Sequence, residues 1–146
     1  MFIGLTISLV LIGLTILIHY EVLRQTSIRL VDLPIPARAR ILVVLTVATA
    51  SHTLHIVLYA MVYMWLHANG QYGDIGGSEK LDFAEAFYFS ITSYTTLGIG
   101  DLFPHGALRT ISGLEALNGL VMVGWTASYT YLAMEKFWHL SDDDDD

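Results

Sequence analysis

Three long apolar runs constrain this chain more than any other feature of its sequence. The first, Phe2 to Ile18, contains no charge and no proline. Its 17 residues make about 25 Å of helix, close to the roughly 30 Å hydrocarbon core of a bilayer. The second, Ile41 to Leu66, has 26 residues and no formal charge, enough to cross with tilt. The third, Thr110 to Leu132, is interrupted only by Glu115 and Asn118. Between the second and third lies a shorter stretch, Phe83 to Tyr94. It is too short to span and fits a re-entrant segment, which a membrane tolerates only inside protein. A cleaved signal peptide is the competing reading of the first run. That run lacks a basic start and a small-residue cleavage site before Tyr20, so a retained helix is expected.

Composition agrees with a membrane protein. The 146 residues are 54% hydrophobic and only 14% charged, against about 25% charged in soluble domains. The formal charge is -7, but the run Asp142 to Asp146 supplies five of the fourteen acids. That run reads as an acidic tail, native or appended, and is set aside for the fold. The remainder is near neutral, so nucleic acid is not an expected partner, and no soluble partner is evident. There is no cysteine, which excludes disulfides and thiolate metal sites. The chain is too short for several domains.

Basic residues suggest an orientation. Arg24, Arg29, Arg38 and Arg40 lie between the first and second runs, and Lys136 follows the third. Only Lys80 and Arg109 flank the re-entrant segment. Positive-inside counting puts the loop from His19 to Arg40 and the C-terminus in the cytoplasm, with the N-terminus outside. Pro34 and Pro36 should break the cytoplasmic connection, with a stretch of Arg-bearing helix before them.

The re-entrant segment opens with Asp82, and Glu85 three residues on completes a capping-box pattern. Directly after it comes Thr95-Thr96-Leu97-Gly98-Ile99-Gly100-Asp101. This resembles the selectivity-filter signature of potassium channels, T-T-V-G-Y-G-D. From Phe83 to about Trp138, somewhat more than a third of the chain, the sequence is similar to the pore domain of bacterial two-transmembrane-type pore-loop channels. Ala86 to Ser90, Thr95 to Asp101 and Glu115 to Gly119 carry the likeness. The resemblance implies an all-α membrane protein: three transmembrane helices, a re-entrant pore helix and a filter, assembling as a homotetramer in the inner cell membrane among its lipids. Residues 1–40 form the extra N-terminal helix and Arg-rich linker, 41–138 the pore domain and 139–146 the tail.

Physical chemistry supports the resemblance. A dehydrated cation needs oxygen ligands, which four strands of backbone carbonyls supply. Carbonyls that all point inward need backbone angles that glycine adopts readily. Gly98 and Gly100 alternate with Leu97 and Ile99 as that requires. Thr96, Leu97, Gly98, Ile99 and Gly100 are the expected filter, with K+ held at Thr96 to Ile99 as the conducted ion and no cofactor. Leu97 and Ile99 should pack on the short helix. Thr95, Asp101, Phe89, Thr92 and Glu115 are the expected support. The negative end of the short helix favours a cation nearby. A lone G-x-G would mark an ordinary turn; its place after a capped re-entrant helix argues otherwise.

Ile99 departs from the family pattern. Tyrosine or phenylalanine is common there, often bonded to an aromatic cuff, with a carboxylate behind the filter. The aligned helix positions are Phe89 and Thr92, so these devices are missing together. A softer filter follows as an expectation, and with it a weakly selective cation channel as the alternative.

Glu115 and Asn118 are polar groups at membrane depth and therefore functional candidates. Glu115 is expected to brace the pore helix through Thr92 or Ser93. Asn118 either braces or rings the cavity. Gly119 offers a helix bend or a close-packing site. His105, four residues after Asp101, is a candidate outer pH sensor. His52 and His55 share one helical face at a spacing that permits metal ligation. No third ligand stands out, so a hydrogen-bonded pair is the expectation. A non-conducting scaffold or metal-binding subunit is a third reading. No arginine ladder marks a voltage sensor, and the first helix is expected to pack outside the pore domain as a scaffold. Nothing resembles a catalytic triad or phosphate loop, so no enzyme is expected.

Overall fold

The computed structural model describes residues 2–32 and 34–142, with side chains outside 37 and 138–142. The interfacial anchor expected at Trp138 and the tail residues 143–146 lie outside these. Four helices and a two-stranded ribbon make up the described chain: α1 (Phe2–Val31), α2 (Ala37–Asn69), β1 (Ile75–Gly76), α3 (Phe83–Tyr94), β2 (Phe103–Pro104) and α4 (Ala107–Asp142).

The long helices outrun the apolar stretches that seeded them. α1 has 30 residues, about 45 Å, and carries His19, Arg24 and Arg29. Most of the expected cytoplasmic loop is therefore helix, and among the described residues the break lies between Val31 and Ala37, where Pro34 and Pro36 stand. Pro36 is extended before the first turn of α2, a place where its missing N–H has no cost. α2 stops at Gly70, whose positive φ of 62° lets its N–H reach the Leu66 and His67 carbonyls. α1 and α2 are long and apolar enough to cross a membrane. α4 is longer still, at 36 residues, but less apolar than either. Many large apolar side chains face outward, among them Leu9, Val10 and Leu17 on α1 and Leu117, Leu120 and Val121 on α4. In water such faces would aggregate; lipid or a second chain suits them.

α1 does not stand apart from the rest. It packs against both α2 and α4 along much of its length. At Gly4 an added Cβ would lie 2.7 Å from the Ala107 carbonyl oxygen, so the two helices nearly touch there. The interior holds three apolar clusters. One joins Tyr59, Tyr63, Leu66, Ala86, Phe89, Leu108 and Ile111 around α3. A second, Ile56, Tyr94 and Met122, lies beneath the end of α3. The third, Leu30, Val44 and Phe137, closes the opposite end.

The ribbon is absent from the all-helical expectation. Ile75 pairs with Pro104 and Gly76 with Phe103, antiparallel. It ties the Gly-rich loop after α2 to the segment that leaves Asp101.

Candidate functional site: the pore-loop segment

α3 begins as its sequence predicts. The Asp82 carboxylate accepts from the Glu85 N–H at 2.8 Å, and the Glu85 carboxylate faces the Asp82 N–H in return. Ser78 donates to the same Glu85 carboxylate at 2.6 Å. The helix ends at Tyr94, and Thr95 caps it with its N–H and hydroxyl directed to the Ile91 carbonyl.

The chain then doubles back against its own helix. The Thr96 N–H donates to Ser93 O at 2.9 Å, and the Gly98 N–H to Thr92 O at 3.1 Å. Positive φ values fall at Thr96 (59°), Gly98 (52°) and Gly100 (89°). Residues 97 and 99 between them are not left-handed. An alternation of this kind is compatible with successive carbonyls lying on one side of the strand, the arrangement that ion coordination by backbone oxygens requires. Glycine adopts it readily. Thr96 is β-branched and does so against its preference, at about 1–3 kcal/mol, a strain that clusters at functional sites.

Leu97 and Ile99 do not pack on α3. They are 66% and 58% exposed. Phe89 is buried and turned the other way, edge-on to Tyr63 at 4.9 Å between centroids. The Thr92 hydroxyl is spent on the Phe89 carbonyl. Asp101 accepts from the Leu102 N–H, and the Tyr88 phenol on α3 lies within its electrostatic reach. Tyr88 is a site residue that the sequence reading passes over; it stands one position before Phe89, facing the other way.

Glu115 lies against α3, but not through Thr92 or Ser93. Its carboxylate accepts from Ser90 on α3 and from Tyr63 on α2, both at 2.6 Å. Ser93 pairs with Ser112 instead. Asn118, a cavity candidate, points into the chain's own interior. Its amide reaches Thr15 on α1 at 2.9 Å and Tyr59 on α2 at 3.3 Å. Gly119 is a close-packing site: a Cβ there would overlap the Tyr94 carbonyl oxygen. α4 thus passes directly under the last turn of α3. His105 directly follows the ribbon, 3.1 Å from Asp74 and half exposed, with its ring edge-on to Phe103.

His52 and His55 are not an isolated pair. His19, from α1, joins them, and one ring nitrogen from each lies within 4.8 Å of the others. Spacing within one helix reveals two of the three; the third is 33 residues from His52 and is placed by the α1–α2 packing. The sequence signal was a histidine directly after an apolar run.

A capped short helix, a doubled-back segment of alternating backbone handedness and an apolar exterior fit a membrane channel protein. The sequence matches the family described as Ion channel over residues 41–136. The chain therefore belongs to that ion-channel family, of the bacterial two-transmembrane pore-loop type, and is not an enzyme. It is 33% identical over 91 residues to the inward rectifier potassium channel Kirbac3.1 of Paramagnetospirillum magnetotacticum. The match covers 61% of this chain but 29% of that relative's length. No solved structure matches at comparable significance. α1 lies outside the matched region.

Proposed function

We propose that the chain is one subunit of a homotetrameric potassium channel of the inner cell membrane, with Thr96 to Gly100 as its filter. The alternating handedness at Thr96, Gly98 and Gly100 carries this reading. One chain supplies one carbonyl strand, so a closed ring of ligands needs several copies, and four-fold symmetry gives the ring its size. The exposed Leu97 and Ile99 then pack on neighbouring subunits. K+ passes down its own gradient, with no cofactor. α1, α2 and α4 all cross, with the N-terminus outside and the C-terminus in the cytoplasm. Similarity to a potassium channel favours K+ as the ion.

A weakly selective cation channel is the second reading. Ile99 favours it, since its side chain has no hydroxyl to anchor the filter wall. The reversal potential of the purified protein in planar bilayers, under opposed K+ and Na+ gradients, separates the two. A value near the potassium equilibrium potential supports the first. A current reversing near zero supports the second. Absence of current through reconstituted tetramers would overturn both.

A further inference from the structure

His19, His52 and His55 meet in the interior, beside the last residue of α3, and the ion-conducting role makes no use of their side chains. Their surroundings are highly ordered. His19 Nδ1 lies 3.0 Å from Ser51 Oγ, while His52 Nδ1 and His55 Nδ1 lie 2.9 and 3.2 Å from the Tyr94 hydroxyl. Every Nδ1 therefore has a hydroxyl partner, although His52 and His55 share the one on Tyr94. The Nε2 atoms are less well served. Those of His19 and His52 share Thr126 Oγ1, at 3.0 and 2.9 Å, and that hydroxyl has a single proton to give. His55 Nε2 is buried with no hydrogen-bond partner, in a residue of 0% exposure. A buried unsatisfied ring nitrogen is costly and asks for a ligand.

We infer that these three imidazoles form a binding site for a borderline transition-metal cation of the Zn2+ or Co2+ kind. Metal-bound histidines commonly use one ring nitrogen for the metal while the other donates to an oxygen. Here hydroxyls already occupy the Nδ1 side. Three imidazoles around one tetrahedral ion, at about 2.0–2.1 Å each, bring their nitrogens to roughly 3.3 Å apart. One nitrogen of each ring, Nδ1 or Nε2, already lies within 4.8 Å of the others, so rotamer adjustments of up to about 1.5 Å bring a ligand set together. Neutral nitrogen donors without carboxylates favour such metals over Mg2+ or Ca2+. Rings this close leave no space for a porphyrin between them. An open groove of about 420 Å³ between α2 and α4 is lined by His52 and Thr126. It gives a route in and a place for water or an anion at the fourth position. Because His19 is on α1 and the others on α2, and because Tyr94 ends α3, the metal would fasten the N-terminal helix to the pore module.

Titration of the purified, metal-stripped full chain with Co2+ tests this directly, with no ion flux required. One Co2+ per chain is expected, with the intense visible absorption of a tetrahedral site, displaced by Zn2+. His19→Gln and His55→Gln should each weaken Co2+ binding by ~100-fold or more, while His105→Gln on the surface leaves it unchanged. Zn2+ should also raise the melting temperature of the wild type in a concentration-dependent way. No tetrahedral spectrum in the wild type would overturn the inference, whatever the variants do. So would binding that survives loss of His19 and His55.

Discussion

At Glu115 a carboxyl group sits wholly inside the chain, and the hydrogen-bond count around it is informative. Ser90 has one hydroxyl proton but two acceptors in reach, the Ile56 carbonyl at 2.9 Å and Glu115 at 2.6 Å. Glutamine can hold the whole set: its Nε2–H donates to Ser90, Ser90 donates to Ile56, and its Oε1 accepts from Tyr63. Glu115→Gln is therefore expected to assemble and melt nearly as the wild type does. Glu115→Ala removes the carboxylate that Ser90 and Tyr63 share and should lose about 1–3 kcal/mol, read as a lower melting temperature in detergent. At Gly119 the constraint is space. Gly119→Ala pushes a methyl into the Tyr94 carbonyl and should destabilise by about 1–3 kcal/mol, with loss of flux before loss of helicity by circular dichroism. At Ile99 the expectation concerns ions. Ile99→Tyr should sharpen K+ over Na+ selectivity or slow inactivation, and a channel unaltered in both would remove the case for a softened filter.

Among the elements, α3 was the most legible in the sequence and α1 the least. The bounds of α3 follow from local chemistry, since Asp82 and Glu85 cap its start and two β-branched threonines followed by Gly98 and Gly100 favour leaving the helix. Asp82→Ala should lower stability by about 0.5–2 kcal/mol, measurable as an earlier thermal transition. The place of α1 depends instead on contacts between residues far apart in the chain. Thr15 meets Asn118 and His19 meets Thr126, and no spacing rule links them. For the same reason the partners of Glu115 came out as Ser90 and Tyr63 rather than Thr92 or Ser93: helix rotation, not sequence proximity, decides which face meets α4. The ribbon of Ile75 and Phe103 was invisible because two-residue strands leave no periodicity. A double-mutant cycle with Thr15→Val and Asn118→Leu should show coupling of about 0.6 kcal/mol, the usual size of a polar contact between membrane helices. Zero coupling would mean that α1 only rests on the pore module.

For the whole molecule, the outward faces tell two stories. Leu9, Val10 and Leu17 on α1 are suited to lipid, while Leu97 and Ile99 flank a segment that needs neighbours. The mostly helical membrane class, the ion-channel family and the bounds of the short helix α3 could be read from apolar runs and one heptapeptide. The histidine meeting point could not, because it belongs to the packed bundle.

The exposed filter wall also bears on how such a protein is made. If Thr96 to Gly100 are the filter, as proposed, a newly inserted chain holds only one side of the ion path. It has the ligating oxygens but encloses no passage. Under a four-subunit reading, permeability arrives with ring closure rather than by quarters, so a cell accumulating unassembled copies would keep its membrane potential. The part of the chain that passes ions is thus harmless until the part that recognises its own kind has finished.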